Sequence, residues 1–119
     1  MPAGSASGYV QDTPVSGTFT ASGDSGVLTG YGPAATLRAQ LAVTAAAGTT
    51  PTLNVVIEDT LDGTNWNQVA AFAQKTGAAV EVLNVTAPFA DRVRVRWTIA
   101  GTTPSFTFSV VWATQGQLA

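Results

Sequence analysis

The residues able to do chemistry are few, and two of the usual kinds are missing. The 119-residue chain contains neither cysteine nor histidine. That removes the thiol nucleophile, the imidazole base and the usual N/S zinc site, and it rules out disulfides. What remains is seven acids and five bases. Glu58, Asp59 and Asp62 crowd together just before Gly63, where a calcium loop or a glycosidase carboxylate pair could be sought. The EF-hand spacing is absent, and a glycosidase pair needs a larger cleft than one small domain supplies. A plainer reading fits the residue types: Asp62 accepts hydrogen bonds from its own backbone while Gly63 takes a positive φ at the tip of a hairpin. No serine stands in a nucleophile-elbow pattern, and no glycine-rich loop precedes the lysine as a phosphate cradle requires. The expectation is a protein that is not an enzyme, with no catalytic residue, no cofactor and no metal.

The bases are more telling. Arg92, Arg94 and Arg96 alternate with Val93, Val95 and Trp97, so one face of one strand carries three of the five basic residues. Such a stripe could meet phosphates or an acidic surface. Nucleic-acid binding, however, calls for a basic overall charge and interleaved exposed aromatics, whereas the net charge here is -2. Like charges stacked along a strand are unfavourable, so carboxylates from a neighbouring strand or subunit are expected opposite them. An inter-subunit row of salt bridges is the preferred functional reading, set against an ordinary solvated face. No run approaches the 18 or so apolar residues of a membrane span, and the N-terminus lacks the basic and apolar regions of a secretory signal. No membrane partner and no nucleic-acid partner are expected. Asn84-Val85-Thr86 fits the glycosylation pattern by chance.

The elements that must hold these residues are strands. Thr alone (18 residues) outnumbers all charged residues (12), and β-branched side chains suit pleated sheets. Leu37, Ala39, Leu41 and Val43 alternate with polar or small residues, as do Leu53, Val55 and Ile57. Val93, Val95, Trp97 and Ile99 follow the same period of two, and so do Phe106, Phe108, Val110 and Trp112. Further strands are expected through Trp66, Val69 and Phe72, and through Val80, Val82 (or Leu83) and Val85. Gly-Thr-Thr-Pro occurs at Gly48–Pro51 and again at Gly101–Pro104, an offset of 53 residues. Each copy lies between alternating strands, so each is expected to turn the chain in a hairpin, with Pro51 and Pro104 opening the returning strand. The recurrence reflects either an internal duplication or two uses of one turn. The fold class is all-β: a single antiparallel β-sandwich or jelly roll of about eight strands over 36–119. Residues 1–35, rich in Gly, Ser, Ala and Pro, are expected to form an extended N-terminal arm with short strands, its Tyr9 and Val10 touching a neighbouring subunit. Trp97, Phe106, Phe108 and Trp112 are expected in the core.

Two resemblances follow from these residues. Asp62-Gly63-Thr64-Asn65-Trp66 is similar to the Asp-Gly-x-x-Trp hairpin of discoidin-like carbohydrate-binding sandwiches, and more loosely to the Asp-box turn, which sets a residue between Asp and Gly. There the motif is mainly a folding device, so Trp66 is expected in the core rather than as a sugar platform. Taken with the arginine strand and Gly101–Phe108, this turn also resembles the small β-sandwich structural proteins of tailed bacteriophages, over roughly residues 36–112. That resemblance implies a virion component made in the host cytoplasm. It implies foremost a capsid decoration (cement) protein on the outer capsid surface, with the major capsid protein as partner and a homo-oligomer, a trimer, as its state. Tail or baseplate location is the alternative within that class. A carbohydrate-binding module with a surface glycan as partner is the alternative outside it.

Overall fold

The computed structural model describes residues 9–29, 34–86 and 89–116. All regular structure among them is β: β1 (Tyr9–Phe19), β2 (Gly23–Asp24), β3 (Ala34–Thr60), β4 (Trp66–Ala71), β5 (Ala79–Val85) and β6 (Arg92–Gly116). β3 and β6 are far longer than ordinary strands. They pair antiparallel along their whole length, from Ala34↔Gly116 to Thr60↔Arg92, and each contributes one half to each of two sheets. The first sheet runs β1, β6 (105–116), β3 (34–47), β5. The second runs β2, β6 (92–100), β3 (52–60), β4. Counting β3 and β6 as two strands each, these orders are 1-8-3-6 and 2-7-4-5, the jelly-roll arrangement. The chain is thus an antiparallel all-β sandwich.

The Gly-Thr-Thr-Pro segments do not make hairpins, which corrects the expected chain reversals at 48–51 and 101–104. They lie opposite one another, with Thr49 paired to Thr102, at the corner where the β3–β6 ribbon crosses between sheets. The register shifts on both sides of Thr49, Gly48 and Gly101 sit at φ +109° and +122°, and Thr50 and Thr103 both sit at +46°. Matching glycines and matching left-handed threonines let both strands bend at one point without breaking the pairing. A local two-fold axis passes between Thr49 and Thr102. It relates β1, β2 and β3 to β4, β5 and β6, since β1 pairs the second half of β6 as β4 pairs the second half of β3. The recurrence in the sequence is therefore a structural repeat.

The expected alternation holds. Leu37, Ala39, Leu41, Val43, Leu53, Val55, Ile57, Val93, Val95, Trp97, Phe106, Phe108, Val110 and Trp112 are all buried. Aromatic rings join the two layers: Trp97 of the second sheet packs tilted at 4.7 Å from Phe19 and edge-to-face at 5.8 Å from Phe108 of the first. Trp97 Nε1 donates to the Ala21 carbonyl at 3.0 Å, so the indole enters the core without an orphaned donor.

Within the expected N-terminal arm, the described residues 9–29 belong to the sandwich. β1 is an 11-residue edge strand, Val15 is buried in the core, and Leu28 bridges to Val93. A bulge between Asp12 and Val15, at Pro14, breaks its alternation. Residues 1–8 and the side chains of Tyr9 and Val10 lie outside the described residues, so the contact expected of those two side chains does too.

Candidate binding surfaces

The two outer faces of the sandwich differ sharply in chemistry. On the second sheet, Arg92, Arg94 and Arg96 project outward as the alternation requires, and carboxylates face two of them, Arg94 and Arg96. These carboxylates belong to the same chain. Register pairs Glu58 of β3 with Arg94 of β6. Arg94 Nε donates to Glu58 Oε1 at 2.8 Å and Arg96 Nε to Oε2 at 3.1 Å. The two guanidinium groups roof the carboxylate so completely that Glu58 is only 6% exposed, while Asp24 lies 3.9 Å beyond Arg94. A buried carboxylate with two charge-assisted donors is satisfied, and it holds β3 and β6 in register.

The Asp-Gly turn belongs to the same cluster. Asp62 Oδ1 accepts from the backbone N–H groups of Thr64 (2.8 Å) and Asn65 (2.7 Å), and Oδ2 accepts from Asn65 Nδ2. The Asn65 and Thr64 backbone donors, then the Asn65 side chain, hold the Asp62 carboxyl far below the usual carboxylate range. Gly63 takes φ +84° as expected. A Cβ there would stand 2.7 Å from Arg92 Nη1, the far end of a flexible side chain that can swing aside. Arg92 passes over the turn to donate to the Leu61 carbonyl at 2.8 Å. Trp66 is half-buried on the outer face beneath the Arg94 guanidinium, 4.2 Å from its ring centre, and not in the core as expected. A cation over an indole explains the placement: stacking holds the ring without an apolar pocket. The turn and the arginine strand, read separately in the sequence, are thus one structure. Glu58, which roots it, stood out in the sequence only as a member of an acidic cluster. No group of three or more metal-ligating side chains occurs among the described residues.

The first sheet presents the opposite character. Outward from β5, β3, β6 and β1 point Val80, Val82, Gln40, Ala42, Ser109 and Val111, with Thr18 bonded to Thr107 across β1 and β6. Val80 is 65% and Val82 39% exposed. Arg38 is the one base on this face, and its Nη1 donates to Asn84 Oδ1 at 2.9 Å. Two open hollows of about 480 and 440 Å³ flank Arg38 and Ala113. Pro51 and Pro104, half-buried, sit at the corner ribbon rather than on either face.

No family model matches the chain, and no curated protein matches it in sequence. Among solved structures it is similar to the CBM22-1–GH10 modules of Clostridium thermocellum endo-1,4-β-D-xylanase 10B complexed with xylohexaose, at 14% identity and a TM-score of 0.47. That match covers 75% of this chain and 19% of the xylanase chain, so the protein spans about a fifth of that length. It is also similar to a CBM4 structure, at 17% identity over 95% of this chain and 74% of the other, TM-score 0.47. A third is the TNF Eiger from S. frugiperda, at 13% identity over 80% and 67%, TM-score 0.45. Likenesses of this degree assign no function.

Proposed function

We propose that this chain is a non-catalytic structural module that docks on a larger protein assembly through the sparsely charged outer face of its first sheet, where Arg38 is the one base. Given the resemblance of residues 36–112 to phage head proteins, that assembly is a phage capsid and the role is decoration of its outer surface, with the major capsid protein as partner. One observation carries the reading: charge is segregated between the two faces. The basic stripe and its carboxylates occupy the second sheet, whereas the first offers Val80, Val82, Val111 and small hydroxyl side chains around Arg38. Burying neutral side chains avoids the desolvation cost of charges, and a flat strand face suits a regular lattice. Many weakly bound copies, each with neighbours, then bind firmly through effective concentration.

The test is binding of the purified chain to capsids that lack it. Val111→Glu, placing a charge in the middle of the face, is expected to abolish binding, while Arg92→Ala on the opposite face leaves it intact. Equal binding by both variants, or absence of the chain from a mass-spectrometric inventory of virions, overturns the reading. A copy number far below that of the major capsid protein moves it to tail or baseplate.

Trp66 favours a second reading, as a carbohydrate-binding module. It is an aromatic ring on an outer face with polar neighbours, the usual furniture of a sugar subsite. Glycan-array binding lost in Trp66→Ala would establish it, and silence on glycans would dismiss it.

A further inference from the structure

Each of the two sheets has two edges, and three of these four edges are protected against adding a strand. β1 carries Pro14 and a bulge between Asp12 and Val15. β2 is two residues long. Opposite β4, the register shifts between Ile57 and Glu58. Bulges, proline and very short strands are the devices by which sheets avoid edge-to-edge association. β5 has none of these three, and the one further device it carries, an inward-pointing charge at Glu81, is neutralised by Lys75 of its own chain. Its seven residues, Ala79-Val80-Glu81-Val82-Leu83-Asn84-Val85, pair with β3 from Val43↔Ala79 to Leu37↔Val85 without a register shift. Among the described residues no other strand pairs with β5, so its outer row of N–H and C=O groups faces away from the sheet. The strand has no proline and no lysine, and four of its seven residues are Val or Leu. Its one charge, Glu81, points inward, where it accepts from the Ala73 N–H at 2.9 Å and pairs with Lys75 of its own chain.

We propose that this protein pairs with a second copy of itself through the free edge of β5, antiparallel and in register about Val82. A second copy is the fitting occupant because the strand is self-complementary under a two-fold axis. Centred on Val82, the pairing sets Val82 against Val82 of the second copy, Val80 against Asn84, and Glu81 against Leu83. Moving the centre one residue back would set Glu81 against its own copy, a like-charge pair that disfavours the slip. Val80 and Val82 are the two large apolar side chains this sheet leaves exposed, and both stand along the seam. Pairing fuses the two first sheets into one continuous sheet with a sparsely charged outer face. It also replaces the trimer implied by the phage resemblance with a two-fold unit.

The test uses the purified chain alone and so stands apart from the capsid reading. Wild-type protein at about 100 µM, where even a micromolar pair is nearly complete, is expected to sediment as a dimer. Val82→Cys is expected to cross-link through a single disulfide on mild oxidation, because directly opposed residues bring their Cβ atoms within about 4.5–5.5 Å. The chain has no other cysteine. Ser16→Cys, exposed on the β1 edge of the same sheet, is the control and stays uncross-linked. Val82→Lys leaves the thermal melt of the domain in place and weakens association about tenfold or more by opposing two ammonium groups. A wild-type monomer or trimer overturns the proposal. So does a folded Val82→Cys protein that cross-links no faster than Ser16→Cys.

Discussion

Replacing Gly48 with alanine tests the corner, and replacing Gly101 tests whether the two-fold axis is energetic as well as geometric. At Gly48 a Cβ would lie 2.7 Å from the Thr103 carbonyl oxygen and 2.9 Å from Pro104 Cα. At Gly101 it would lie 2.9 Å from the Thr50 oxygen and 3.0 Å from Pro51 Cα. Both sets of atoms are backbone, so neither can swing aside, and relief means separating β3 from β6 at the bend. The backbone cost of a side chain at φ +109° or +122° is about 1–3 kcal/mol. Overpacking adds about 1–3 kcal/mol. Reduced freedom of the unfolded chain returns about 0.4–1 kcal/mol. The net expectation is a loss of about 2–4 kcal/mol for each variant, with Gly48→Ala slightly the worse. With a urea slope of about 1.5 kcal/mol per molar, the unfolding midpoint falls by roughly 2 M. Gly26→Ala supplies the comparison: φ is +79° there, but nothing lies within 4 Å, so only a left-handed cost of about 1–2 kcal/mol applies. Urea melts followed by tryptophan fluorescence measure all three. If either corner variant unfolds within about 0.3 M of wild type, or no lower than Gly26→Ala, the contact argument is refuted. If both are destabilised but by clearly different amounts, the repeat is a matter of shape alone.

The remaining expectations concern the charged face and the N-terminus. Arg94→Ala leaves the buried Glu58 with Arg96 as its guanidinium partner and strips the cover from Trp66, so stability falls by about 2 kcal/mol. Arg92→Ala, which loses one bond to an exposed carbonyl, costs about 1 kcal/mol or less in the same melt. Because the folded-state pKa of Asp62 is depressed, its contribution is present above the unfolded carboxylate value of about 3.9 and is lost as pH falls below it. The urea midpoint of wild type should therefore drop between about pH 5 and pH 2 more steeply than that of Asp62→Asn, and parallel curves would count against the turn. Deleting residues 1–19 removes β1 and the core residue Val15, and it uncovers the second half of β6. The truncated chain is expected to lose its cooperative melt, whereas a dispensable arm would leave the melt unchanged.

Much of this architecture was legible in the sequence, because a period of two with one apolar phase forces a strand to bury one face. The core residues of β3 and β6 follow from that alone. Chain direction at Gly-Thr-Thr-Pro does not. A glycine and a proline between two alternating runs look the same whether the chain reverses or bends and goes on. Only the juxtaposition of the two copies decides, and that is a long-range fact. β1 was hidden for another reason. As an edge strand with a bulge it needs few inward residues, so Val15 and Phe19 stand among Gly, Pro and Thr without a steady period. Trp66 was misplaced because an indole suggests burial, and nothing local announces that Arg94, 28 positions away, will cover it. The same holds for Glu58, an outward residue by alternation that becomes buried only when two arginines from β6 close over it.

The continuous ribbon also sets the order in which the protein can come into being. β1 takes its partners from 106–115, β2 from 96–97, and β3 from 92–116. β1 and β2, and β3 in part, therefore wait for residues synthesised well after them. While the chain emerges from the ribosome, β1, β2 and much of β3 have no sheet to join, and only the β3–β4 and β3–β5 pairings can form early. Folding is then slow, in the millisecond-to-second class of topologies dominated by distant pairings. Closure proceeds from the Thr60–Arg92 end, where the intervening chain is shortest, through the glycine corner to Ala34 and Gly116.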